Sequence, residues 1–157
     1  MLRKIAASLV CIAWALWLGG LGALFLFVTD LFARDRPTAL KAAPQMFLVF
    51  ERYQILLAAA ALMGVVAWRI LAGSIRVTVL FILLAAATVP AALGPMFVTS
   101  RMEQLRQQGQ SSSGEFRKLH GISMIVYTGQ TLILLAAGLT LPWAMQQESK
   151  TNGTTHR

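Results

Sequence analysis

The sequence predicts an all-α integral membrane protein, folded as an up-down bundle of four helices. Hydrophobic residues make up 57% of the 157 residues and charged residues only 13%, which is about half of the charged fraction typical of soluble domains. Four apolar runs, separated by short polar segments, each reach the ~20 residues that cross a bilayer. Short connections favour antiparallel neighbours, and they therefore predict the up-down order.

The predicted membrane domain covers residues 1–146, and a polar tail, predicted to be disordered, follows at 147–157. The predicted spans lie at about 5–28, 46–70, 75–98 and 120–145. The first span is too long for the apolar part of a signal peptide, and we interpret it as a retained helix. In this span Ala15, Gly19 and Ala23 recur every four residues, a spacing that lets a second helix approach closely.

Charge and proline predict the connections between the first three spans. Residues 29–45 contain five charged side chains, which predict a segment in water or at the interface. Pro37 is expected to break any helix that continues from the first span, and Pro44 suits the first turn of the second. A short turn is predicted at 72–74, between the second and third spans.

Two patterns predict where the third helix is disturbed and where the last one begins. Pro90 and Pro95 remove backbone donors, so they are expected to kink the third helix or to end its regular part. Ser112 followed three residues later by Glu115 is a capping-box pattern, which predicts the start of the last helix.

Polar residues of the last span share one face of the helix. His120, Ser123, Tyr127 and Gln130 are spaced three, four and three residues apart, which aligns them on an α-helix. The other faces are apolar, and a polar stripe at membrane depth needs protein or water opposite it. We therefore expect the stripe to face the inside of the bundle.

Glu51 and Gln54, near the start of the second span, are the candidate partners of this stripe. One interpretation places them at head-group depth beside a snorkelling Arg52; the other turns them inward to meet the last helix. The candidate polar site contains Glu51, Gln54, His120, Ser123, Tyr127 and Gln130.

No cofactor, catalytic residue or closed metal site is predicted. His120 is a candidate metal ligand, but one histidine and Cys11 on another span do not make a zinc site. Nucleophile elbows, P-loops and dinucleotide fingerprints are absent from the sequence, which argues against an enzyme. The net charge of +8 comes from Lys and Arg around the apolar runs, so it predicts lipid head groups rather than nucleic acid as the partner.

The segment Phe116–Ser123, FRKLHGIS, with Tyr127 one turn further on, carries a family resemblance. It resembles the FxxLHxxS opening of the last helix in the domain-of-unknown-function 4149 family, which is shared with eukaryotic transmembrane protein 205. The resemblance implies a four-span membrane protein without an established activity. That family is also distantly similar to copper-resistance D-type membrane proteins, but the few histidines and unclustered methionines here depart from a copper-handling pattern.

Two functions are open at this point. The first is a non-enzymatic multi-pass protein of a bacterial inner membrane, whose polar stripe serves packing or assembly with a second copy or another membrane protein. The second is a permease for a small solute, a proton or a copper-like metal ion, with its site between the second and last spans. A permease would need Glu51, His120, Tyr127 and Gln130 to converge.

Overall fold

The computed structural model describes the backbone of residues 1–153 and the side chains of residues 1–146. All elements within this part of the chain are helical. They are α1 (Leu2–Arg34), α2 (Arg36–Ala72), α3 (Ile75–Gly94), a π-turn (Pro95–Thr99), α4 (Ser100–Gln107) and α5 (Gly114–Gly153). The side chains of the predicted tail, 147–157, lie outside the described residues, and its disorder stays a prediction.

Four helical stretches are long and apolar enough to cross a membrane, which confirms the predicted fold class. They are Leu2–Arg34, Arg36–Ala72, Ile75–Gln107 and Gly114–Gln146. The third stretch joins α3, the π-turn and α4. Because α1 has 33 residues, it is about 50 Å long, which exceeds the ~30 Å of a bilayer's hydrocarbon core. The helices therefore extend beyond the predicted spans.

Small residues bring α1 and α2 close together in an antiparallel pair. A Cβ added to Gly64 would lie 2.9 Å from Val10 Cγ2, and one added to Gly20 would lie 2.8 Å from Phe50 Cε2. From the first contact to the second, the residue number increases along α1, from 10 to 20, and decreases along α2, from 64 to 50, as antiparallel packing requires. The remaining packing is chiefly of α2 on α3 and of α3 on α5, and the core includes the fully buried Trp17, Trp68, Leu80, Leu84 and Leu134.

The predicted small-residue face of α1 is not the face that packs against α2. Ala15, Gly19 and Ala23 are all exposed on the outside of the bundle. Four-residue spacing identifies a face that can be approached closely, but it does not identify which neighbour approaches it.

Nearly all of the predicted first connection, 29–45, is helical. Only Asp35 separates α1 from α2, and it caps α2: its carboxylate accepts from Thr38 Oγ1 at 2.6 Å and from Thr38 N at 3.1 Å. Both hydrogen bonds lower the pKa of Asp35, and the bond from the Thr38 hydroxyl has the larger effect. They therefore stabilise the fold at pH values above the pKa that Asp35 has in the unfolded chain. This stabilisation is lost as the pH falls through the pKa that Asp35 has in the folded protein. Pro37 lies in the first turn, where a proline is tolerated, and Pro44 lies inside the helix.

The other helix ends follow the predictions more closely. Gly73 has a left-handed φ of 63° and its N–H bonds to Arg69 O, which ends α2 at the predicted turn. The regular part of the third helix ends before Pro95, as expected, whereas α3 continues through Pro90. The cap of α5 is Ser113 instead of Ser112: Ser113 Oγ accepts from Phe116 N at 3.1 Å.

Candidate functional site

Two pairs of polar side chains join α2 and α5 inside the bundle. Glu51 bonds to Tyr127, and Gln54 bonds to Gln130. Residues three apart lie one turn apart on a helix, so the two pairs form two successive layers. In an up-down bundle the second and fourth spans run parallel, and equal spacing on both helices lets each pair meet at its own level. The structure therefore places these four side chains as the inward-facing interpretation expects.

The deeper layer is built from amides and an indole. Gln130 Nε2 donates to Gln54 Oε1 at 3.0 Å, and Trp17 Nε1 on α1 donates to the same oxygen at 3.4 Å. Gln54 and Gln130 are each only 1% exposed. The layer thus links three helices where neither water nor lipid offers a hydrogen bond. Gln130 Oε1 is buried and has no partner in the described part of the chain.

The outer layer centres on the Glu51 carboxyl group, which is 3% exposed. Its Oε1 accepts from Thr99 Oγ1 at 2.5 Å and from Tyr127 OH at 3.0 Å. The Tyr127 ring also packs on Phe47, with ring centroids 5.6 Å apart. No ion pair joins Glu51 to another of the residues that the structure describes. Both hydroxyl donors therefore converge on one oxygen of the carboxyl group.

His120 and Ser123 are not part of this network. His120 is exposed, and Ser123 is partly buried without a hydrogen bond to the described residues. Among the side chains of 1–146, no group of three His, Cys, Asp or Glu could hold a metal ion. The predicted stripe thus divides into an inner part, Tyr127 and Gln130, and an outer part, His120 and Ser123.

Trp17 and Thr99 complete the network, and the sequence analysis did not select them. An indole N–H in an apolar span needs an acceptor, and this was a usable signal for Trp17. Thr99 gave no such signal, because the direction of its side chain depends on the π-turn of which it is the last residue. A regular helix through Pro95 would have assigned it to another face.

Glu51 and Tyr127 each line a different cavity. Glu51 lines a cleft of about 410 Å³ between α2 and the α4 end of the third span. Tyr127 lines an apolar groove of about 400 Å³ between α1 and α5, whose other walls include Gly22, Phe25, Met124 and Leu132. The hydrogen bond between the two side chains therefore joins a wall residue of one cavity to a wall residue of the other.

Neither a family model, nor a curated protein, nor a solved structure matches this chain. The resemblance to the domain-of-unknown-function 4149 family therefore stays a prediction that rests on the Phe116–Ser123 segment. The functional argument depends on the geometry of the two polar layers and of the cleft beside them.

Proposed function

We propose that the protein is a non-enzymatic, multi-pass membrane protein in which the polar face of the last helix holds the bundle together. The observation that carries this proposal is the amide layer, in which Gln130, Gln54 and Trp17 join three helices. Hydrogen bonds between membrane helices contribute on the order of 0.6 kcal/mol each and up to about 1.7 kcal/mol. Placement in a bacterial inner membrane and assembly with a second copy or another membrane protein belong to the same proposal.

A matched pair of substitutions on α5 tests the packing role. We expect Gln130→Ala to lower the free energy of unfolding by about 1–3 kcal/mol, because it removes the shorter of the two hydrogen bonds to Gln54 Oε1 and leaves a cavity in a buried layer. His120→Ala removes an exposed side chain of the same helix and should change stability by less than about 0.5 kcal/mol. Reversible unfolding in mixed micelles, followed by tryptophan fluorescence, measures both. Equal effects of the two substitutions would count against the packing role.

A permease is the second candidate function, and the position of Glu51 favours it. An ionisable residue in a membrane span is a default functional candidate, and this buried carboxyl group lines the cleft of about 410 Å³. The three inward residues that a permease would need, Glu51, Tyr127 and Gln130, lie in adjacent layers, whereas His120 is exposed.

A flux measurement separates the two candidates. Under the packing proposal, vesicles containing the purified protein and a pH-sensitive dye should pass protons or monovalent cations no faster than protein-free vesicles. A permease would instead give a flux that Glu51→Gln removes. Glu115→Gln is the control, because Glu115 is an exposed carboxylate that pairs with Arg101 at 2.8 Å. A flux sensitive only to Glu51 would replace the packing proposal with the permease.

A further inference from the structure

The cleft beside Glu51 has the size and lining of a binding site. Its volume of about 410 Å³ lies within the range of pockets that hold small molecules. Leu48, Ile55 and Pro95 make part of the wall apolar. The polar lining residues are Glu51, Arg52, Thr99, Ser100, Glu103, Gln104 and Gln107.

Glu51 offers this cleft an acceptor that the protein does not use. Both of its hydrogen bonds end on Oε1, and Glu51 makes no further bond with the residues that the structure describes. A carboxyl group can accept about four hydrogen bonds, and burying it without partners is unfavourable. Glu51 lines the cleft, so Oε2, which makes no hydrogen bond with the described residues, is its remaining acceptor for an occupant.

The cleft has two other charged residues, Glu103, which is hydrogen-bonded to its neighbours, and Arg52, which is exposed. The carboxylate of Glu103 pairs with Arg106 and also accepts from Gln107 Nε2 at 3.4 Å. Arg52 follows Glu51 directly on α2, is exposed, and lines the same cleft. An acceptor for a cation and a guanidinium for an anion therefore lie side by side.

The length of α2 places this pair at the boundary of the hydrocarbon core. Residues 53–68 carry no charge and rise about 24 Å along the helix, somewhat less than the ~30 Å core. The backbones of Arg52 and Arg69, at the two ends of this stretch, thus lie just inside the edges of the core, from which their long side chains can reach the lipid phosphates. A ligand of the cleft would have its phosphate and its amine at the depth of lipid head groups.

We propose that the cleft binds the head group of an ethanolamine phospholipid. The primary ammonium donates N–H bonds to Glu51 Oε2, and the phosphate pairs with the guanidinium of Arg52. The apolar wall contacts the first part of an acyl chain, which a free phosphoethanolamine would lack. The inference does not depend on the packing role, since it concerns the outer layer and its cleft and not the amide layer.

Comparing two phospholipids tests the proposal on the unmodified chain. Phosphatidylcholine has the same phosphate and the same positive charge as phosphatidylethanolamine, but its quaternary ammonium has no N–H donor. Short-chain forms of both are titrated into the full-length protein in detergent and followed by native mass spectrometry. We expect phosphatidylethanolamine to bind at least about tenfold more tightly, the size expected for a charge-assisted hydrogen bond. Equal affinities would overturn the proposal without any variant having to fold.

Three variants and one soluble competitor locate the site. Glu51→Gln should abolish the preference between the two lipids, whereas Glu103→Gln, the control carboxyl in the same cleft, should keep it. Arg52→Gln should weaken both lipids about equally. A preference that survives Glu51→Gln would contradict the proposal. Free phosphoethanolamine that binds as tightly as the lipid would also contradict it, because the site would then belong to a water-soluble amine. Loss of this preference leaves the Gln130 unfolding result unaffected, so the two proposals can fail separately.

Discussion

Replacing Gln54 with leucine is expected to cost about 2–4 kcal/mol of unfolding free energy, the larger of the two main predictions. Gln54 Oε1 is the shared acceptor for Trp17 Nε1 and Gln130 Nε2. Leucine has a similar size but no acceptor, so two donors would remain unpaired among fully buried residues. Each buried polar group that loses its partner costs about 1–3 kcal/mol.

The double substitution Gln54→Leu with Gln130→Leu identifies the mechanism. Removing both amides leaves only the indole unpaired, so the double variant should be more stable than the sum of the two single effects predicts. Gln45→Leu is the control, because Gln45 is an exposed amide on the same helix. Unfolding in mixed micelles measures all four proteins. Strict additivity of the two buried substitutions would show that the amides do not act on each other.

Gly138→Ala is expected to destabilise the bundle by about 1–3 kcal/mol, although alanine is the better helix former by about 1 kcal/mol. A Cβ at Gly138 would overlap Trp14 Cζ2 and would lie 2.9 Å from Trp14 Cε2. The ring cannot easily move away, because Trp14 Nε1 donates to Leu134 O at 2.7 Å. The added methyl group must therefore shift either the ring or the α1–α5 contact.

A second glycine of α5 supplies the matched control for this prediction. A Cβ on Gly129 would meet nothing within 4 Å, so Gly129→Ala should leave stability unchanged or raise it by up to about 1 kcal/mol. Gly138→Ala should therefore lower the unfolding midpoint, whereas Gly129→Ala should leave it unchanged or raise it. Trp14→Leu, combined with Gly138→Ala, should recover part of the loss. Equal shifts for Gly138→Ala and Gly129→Ala would contradict the packing shown at Trp14.

Composition and apolar length were enough to predict the four helices, because a span must contain about 20 residues with few charges. They could not predict the ends of the helices. The charges of 29–45 do not stop a helix that continues into water, and the actual break depends on how one residue, Asp35, caps α2. At α5, two adjacent serines offer the same side-chain oxygen, and only the observed hydrogen bond distinguishes Ser113 from Ser112.

The spacing of the inward part of the candidate site could be read from the sequence, but it left open whether Glu51 and Gln54 lie at head-group depth or face the last helix. Glu51 and Gln54 are three residues apart, as are Tyr127 and Gln130, and parallel helices bring equal spacings together. The helical period gives the direction of a side chain around the helix axis. It does not show whether neighbouring helices cover the side chain at that point along the axis. His120 lies about 10 Å from Tyr127 along α5, where Arg117, Lys118 and Gly121 are also exposed. A correct angle therefore did not make His120 a buried residue.

The π-turn at Pro95–Thr99 determines how far the side chains of α4 are rotated around the helix axis relative to those of α3. Such a turn inserts about one extra residue into an α-helix, and each residue of an α-helix corresponds to about 100° of rotation. Deleting one residue here would restore regular winding but would swing Leu105, now 1% exposed, out of the interior and draw Thr99 away from Glu51. Across these five positions, the number of residues therefore constrains the protein in addition to their identity.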